Sequence, residues 1–198
     1  MKKATHILVI RLSALGDVAM TVPVLRVLTS TYPDLKITVL SKKFNRPLFE
    51  GLPNVTFLEA EVTKRHKGIF GLLRLAKEIR AMKVDAVADL HNVLRSKIIS
   101  RRLSWSGIVS ATVDKGREEK KNLVRAQGKT LLPLKSTHRR YADVFEKLGF
   151  PIDLEDHRFP ERSPLTPRLS GIMGKEPKKC VGVAPLQPTR GSNILWSR

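Results

Sequence analysis

The sequence is poor in cysteine, in long apolar runs and in acid, and each shortage narrows what the protein can be. Cys180 is the single cysteine of 198 residues, which excludes an internal disulfide framework and any zinc cluster built on several thiolates, and fits a reducing cytoplasm. No apolar stretch approaches the ~20 residues that a membrane span needs. The apolar residues 7–10 are too few for a signal peptide, and Arg11 ends them. Neither G-x-G-x-x-G nor a P-loop occurs, so the glycine-rich phosphate cradles of dinucleotide and Walker-type sites are missing. Eighteen Asp and Glu face 37 Lys and Arg, leaving a net charge of +19. Such a surface favours polyanions, whether nucleic acid, anionic lipid headgroups or phosphorylated substrates.

With 41% hydrophobic and 28% charged residues, the chain has the profile of a soluble globular protein, long enough for one α/β domain and a fragment of a second. Residues 6–10 form a β-branched apolar run that ends in the small-residue loop Ser13-Ala14-Leu15-Gly16-Asp17. Val18, Val22, Leu25, Val27 and Leu28 then recur at helical spacing, with Pro23 near the first turn. Strands are expected over residues 36–40, 55–58, 84–90 and 107–113, and helices over 47–52, 68–82, 92–103 and 136–148. The alternation predicts a doubly wound, mostly parallel sheet, a Rossmann-like α/β fold. Ligands of such sheets bind beyond the carboxyl ends of the strands, the rim that carries residues 13–17, 91–95 and the loop after Val113.

Residues 114–135 are rich in Lys and Arg, with few apolar anchors, and read as a solvated loop or lid. Residues 159–177, rich in Pro, Ser and Gly, read as a linker. Residues 179–184 begin a new buried strand.

The loop after the first strand carries the chemistry. Gly16 permits a tight turn, and its small neighbours allow close approach of a ligand. Asp17 falls where a helix begins. It is either an N-cap for that helix or a carboxylate on the sheet rim, able to accept a proton from a sugar hydroxyl.

Residues 7–18 together with Thr21-Val22-Pro23 resemble the opening of the bacterial heptosyltransferases, family 9 of the glycosyltransferases, which add heptose to the lipopolysaccharide inner core. Further matches follow in order. Asp89-Leu90-His91-Asn92-Val93-Leu94-Arg95-Ser96 resembles the family's Asp-Leu-Gln-Gly-x-x-Arg-Ser stretch, with His91 and Asn92 replacing Gln and Gly. His138-Arg139-Arg140-Tyr141, before Leu148-Gly149, resembles the family's His-x-x-Arg/Asp-Tyr helix, and Val181-Gly182-Val183-Ala184-Pro185 resembles the strand that opens the family's second domain.

The resemblance implies a GT-B architecture of two Rossmann-like domains facing across a cleft. Residues 1–160 would be the acceptor-side domain, 161–177 a linker and 178–198 the start of a donor-binding domain. It implies Asp17 as general base, and Ser13, Gly16, His91, Asn92, Arg95, Lys115 and Arg117 as candidate acceptor contacts. It implies a nucleotide-activated heptose donor (ADP-heptose), an anionic glycolipid acceptor, and no cofactor or required metal, basic side chains stabilising the leaving diphosphate instead. It also implies a cytoplasmic protein, peripheral at the inner face of the inner membrane.

The family's donor-binding loop contains a lysine, whereas residues 186–198 follow another pattern. A one-base shift of permissible codons for residues 186–197 spells a loop of the family's kind, so the expectation is a chain truncated after Pro185 and inactive by itself. Two other readings compete. A basic nucleic-acid-binding protein has suitable charge, but the chain has only two Trp and two Tyr and no recognised DNA- or RNA-binding motif. A non-catalytic module for anionic glycolipid would share the acceptor site and drop the chemistry.

Overall fold

A computed structural model describes residues 4–124, 133–161, 164 and 166–173. Five strands, β1 (His6–Ile10), β2 (Lys36–Ser41), β3 (Val55–Glu59), β4 (Ala86–Asp89) and β5 (Val109–Thr112), form one sheet in the order β3-β2-β1-β4-β5. Every pairing is parallel, with Ile7 beside Ile37 on one flank and beside Ala86 on the other. The order reverses between β1 and β4, which opens a crevice at their carboxyl ends.

The central strands are nearly continuous apolar runs because helices cover both faces of the sheet. Ile7 and Val9 point to one face, where they pack with Val24, Leu25 and Leu28 of helix α2 (Thr21–Thr31) and with Tyr141, Val144 and Phe145 of α6 (Thr137–Lys147). Leu8 and Ile10 point to the other, against Leu72, Leu75 and Ile79 of α3 (Gly68–Ala81) and Ile99 and Leu103 of α4 (Leu94–Ser104). Each fully buried Leu or Ile contributes about 1.5–3 kcal/mol by leaving water.

The helix expected after Asp17 is two, α1 (Leu15–Ala19) and α2. Pro23 supplies the reason: it has no N–H for the carbonyl of Ala19, and its ring crowds that group. The expected helix over 47–52 is a 3₁₀ segment, Lys43–Phe49, begun early because the Asn45 side chain donates to Ser41 Oγ at the end of β2 (2.9 Å).

The basic segment after β5 is not simply a loop. Residues Arg117–Leu123 form a short helix, α5, with no buried residue, so it is solvated as expected yet regular. Contacts divide the chain into Met1–Arg158 and Phe159–Arg198. In the second unit, Pro167–Met173 form helix α7 where a linker was expected. Thr166 Oγ1 accepts from the Leu169 N–H and Pro167 holds the first helical position, a start signal that composition masks. The strand expected at 179–184 lies outside the described residues.

Candidate acceptor cleft

Arg11 directly follows β1 and is buried. Burying a guanidinium is costly unless its protons are used. Its Nη1 donates to the Leu90 carbonyl beyond β4 (2.7 Å), fastening the two strand ends across the crevice, and its Nη2 is ion-paired with Asp17 Oδ2. The guanidinium carbon lies 6.0 Å from the centre of the Tyr141 ring, within cation–π range. Tyr141 Oη donates in turn to the Asp17 backbone carbonyl (3.3 Å). Burial pushes the phenol's pKa up, with Asp17 adding to the shift and Arg11 opposing it.

This arrangement removes one of the two roles open to Asp17, that of N-cap. The cap position of α1 is Ala14, with no side-chain hydrogen bond, and Asp17 lies inside the first turn. Its carboxylate is oriented by Arg11 and remains 47% exposed.

Beside Asp17 opens a cleft of about 380 Å³, lined by residues from the ends of β1, β4 and β5 and the start of α6. Arg11, Lys115, Lys120, Lys135 and Arg140 contribute five cations, against Asp17 and Asp114. Lys135 is paired with Asp143 (2.7 Å) and Arg140 with Glu119 (2.6 Å). Among the described residues, Lys115 and Lys120 have no carboxylate at salt-bridge distance. Lys115 is half-buried, and its pKa is lowered by desolvation first, then by Arg11 and Arg117. An anion entering the cleft would supply the missing counter-charge.

Arg140 holds the cleft's outer wall. Its Nε donates to the Lys135 carbonyl (3.1 Å), and its guanidinium packs on Gly116, where even a Cβ would fall 2.2 Å from Nη2. Gly116 is left-handed (φ 59°), so the chain can turn there from Lys115 into α5.

The segment after β4 is organised by Asp89. Its buried carboxylate accepts from the backbone N–H groups of His91 (2.9 Å) and Asn92 (2.8 Å). Asn92 has φ 47°, and its side-chain amide donates to the Val113 carbonyl (2.8 Å). This is the position where the family stretch has Gly, and Asn is among the few other residues that tolerate the left-handed region. His91 is 8% exposed, and its Nδ1 has no hydrogen-bond partner among the described residues. Burial, followed by Arg11 and Lys115, lowers its pKa to about 4 against the opposing pull of Asp17. At neutral pH the ring is therefore uncharged.

Of the residues singled out in the sequence, Asp17 and Lys115 line the cleft. Ser13 lies on the adjoining loop and Gly16, exposed, in the first turn of α1, while His91 and Asn92 underlie the segment behind Leu90. Arg95 and Arg117 are exposed and outside the cleft lining. Sequence reasoning passed over Arg11, Arg140 and Tyr141 as site residues. An arginine closing a buried strand, six residues before an aspartate, is the signal that could have found the first.

No family model matches the chain. A curated relative, the lipopolysaccharide core heptosyltransferase OpsX of Haemophilus influenzae, is 28% identical over 92 residues, 46% of this chain and 26% of the relative. The family 9 glycosyl transferase of Veillonella parvula is 28% identical, with a TM-score of 0.54 over 76% of this chain and 43% of that one. Escherichia coli ADP-heptose lps heptosyltransferase II shares the fold at 23% identity, TM-score 0.51, over 85% of this chain and 49% of its own. In each case the match spans less than half of the relative. Taken with the ordered motifs on one sheet rim, these likenesses make the chain similar, over its N-terminal region, to the heptosyltransferases of glycosyltransferase family 9.

Proposed function

We propose that the cleft beside Asp17 binds an anionic sugar acceptor, and that this chain supplies the acceptor side of a heptosyl transfer from a nucleotide-activated donor. The observation that carries the reading is the exposed Asp17 carboxylate, oriented by buried Arg11, next to Lys115 and Lys120, which have no carboxylate at salt-bridge distance among the described residues. The lysines would hold a phosphate or carboxylate of the acceptor, leaving a hydroxyl at Asp17. Asp17 takes the hydroxyl proton as the oxygen bonds to the anomeric carbon from one face. The bond from that carbon to the donor diphosphate breaks on the opposite face, and the diphosphate leaves with the electron pair. Arg11 is a positioning residue, because its contacts fix the carboxylate relative to the end of β4.

The likeness to heptosyltransferases supports a nucleotide-activated heptose donor and a lipopolysaccharide inner-core acceptor. The same analogy supports an acceptor anchored in a membrane, approached by a protein in which no described helix is long and apolar enough to cross one.

The test joins this chain to the donor-binding domain of a family 9 relative and measures heptose transfer to a phosphorylated inner-core oligosaccharide. Asp17→Asn should lower kcat by about 10²–10⁴ while leaving acceptor affinity within a few-fold. Unchanged turnover would reduce Asp17 to a structural partner of Arg11.

A further inference from the structure

The outer strands of a sheet present rows of backbone N–H and C=O groups, and charged residues or proline commonly guard them against pairing with another chain. The two edges of this sheet differ in that respect. On β3, Glu59 closes the strand, and the Arg46 guanidinium carbon lies 4.9 Å from the centre of the Phe57 ring. On β5 the sequence supplies no guard. Residues 103–113 hold no charged side chain and no proline, in a chain where 28% of residues are charged. Among the described residues, β5 pairs with β4 alone.

One hydrogen bond sets the direction of its backbone groups. The Val113 N–H donates to the Asp89 carbonyl (2.9 Å). Successive residues of a strand turn to alternate neighbours, so Ala111 also faces β4, and the N–H and C=O groups of Ser110 and Thr112 point outward. The side chains at this edge are short, and Val109, Ser110 and Thr112 are exposed while Ala111 and Val113 are buried. The Ser110 hydroxyl is bonded to that of Ser104 (3.2 Å), which ties the edge to the end of α4.

We infer that β5 pairs with β5 of a second copy of this chain, antiparallel and about a two-fold axis, joining two five-stranded sheets into one. Outward-facing residues of antiparallel strands meet in hydrogen-bonded pairs. One register pairs both outward residues of each strand with both of the other: Ser110 opposite Thr112 of the second copy, with Ala111 on the axis opposite itself. The neighbours that this register creates are compatible. Two short hydroxyl residues meet, Val109 lies against Val113 of the second copy, and no like charges face each other.

Complementary charge at the strand ends selects a second copy over an unrelated strand. Asp114 lies 3.9 Å from Arg140, yet its side chain is 76% exposed. The register carries it opposite Ile108 of the second copy, two residues from Ser106, whose hydroxyl accepts from Arg102 Nη1 (3.3 Å). Each β5 thus brings a carboxylate at one end and an arginine near the other, and the two-fold axis matches them twice. The contact is small, so the association is weak, and the net charge of +19 on each copy opposes it. Salt that screens this repulsion should strengthen the pairing. The inference does not depend on the acceptor reading.

The experiment combines sedimentation velocity of the 198-residue chain, from micromolar to millimolar concentration, with cross-linking. The parent should form a reversible dimer, with more of it at high salt than at low. Thr112→Lys and Ser110→Pro alter only the outward side and leave the bonds to β4 in place. Each should weaken the dimer about tenfold or more with an unchanged circular dichroism spectrum. The register is read in a Cys180→Ser background, which removes the native thiol. Facing residues of a non-hydrogen-bonded pair stand about 4.5 Å apart at Cα, within disulfide reach, so Ala111→Cys should cross-link to itself under mild oxidation. Val109→Cys is more exposed, but the register holds it roughly 14 Å from its own counterpart, so it should cross-link far less. Random collision would give the reverse order. The inference is overturned if the parent stays monomeric throughout, if Thr112→Lys and Ser110→Pro dimerise as the parent does, or if Val109→Cys cross-links as readily as Ala111→Cys.

Discussion

His91 shows how a single departure from a family pattern acquires a measurable consequence. The buried ring is flanked by Arg11 and Lys115, and its pKa falls from 6.5 to about 4. In the unfolded chain the ring takes up a proton near its ordinary pKa, so between roughly pH 6.5 and 4 the unfolded state binds more protons than the folded one. Stability from this group is fully present above that window and is lost as pH falls through it. Between pH 7 and pH 5 the loss should be about 1–2 kcal/mol. His91→Gln, which restores the side chain of the family stretch, should remove that part of the acid sensitivity. Urea unfolding at the two pH values checks this, and identical pH dependence of parent and variant would contradict it.

Residue identity made some of the site legible and hid the rest. Asp17 stood out through its place in the motif that resembles the family's opening, since the local sequence alone left an N-cap equally open. Asn92 looked like a break with the family, yet its left-handed backbone and its bond to Val113 make it a stand-in for glycine. Arg11 was invisible as a site residue because its importance lies in two contacts, with Leu90 and Asp17, that link the ends of different strands. Arg140 was hidden for the same reason: Glu119 and Gly116 are distant in sequence.

Among the elements, buried strands were the easiest to read, since helix-covered parallel strands are continuous apolar runs. Their boundaries shrank at β4 and β5, found at Ala86–Asp89 and Val109–Thr112. Pattern alone failed at short helices that are held by polar contacts instead of an apolar face. Helix α5 is the example that bears on function. It buries nothing of its own and is tied to the body through Glu119 and the buried Arg140. Arg140→Ala should therefore cost about 1–3 kcal/mol and leave Glu119 without its partner. It should also raise amide hydrogen exchange across residues 117–123 while β1 and β4 stay protected. Uniform loosening of the whole sheet would mean that Arg140 supports the core and not this element.

On the scale of the whole molecule, the charge of +19 is distributed with purpose. Part lines the cleft beside Asp17 and part lies on the loops after β2 and β3, two surfaces separated along the carboxyl edge of the sheet. The fold class was legible in the sequence. The division of the charge between two surfaces was not, because it depends on which strand ends lie side by side.

The claim that most of this account depends on is that the cleft beside Asp17 is the acceptor site. Isothermal titration of the 198-residue chain with a soluble, phosphorylated inner-core oligosaccharide tests it most directly, at low salt and near physiological ionic strength. Binding should be detectable and should weaken as salt rises. Lys115→Ala combined with Lys120→Ala should weaken it about tenfold and flatten its salt dependence, whereas Asp17→Asn should leave it within a few-fold. Binding that is indifferent to the two lysines, or no binding at all, would contradict the assignment.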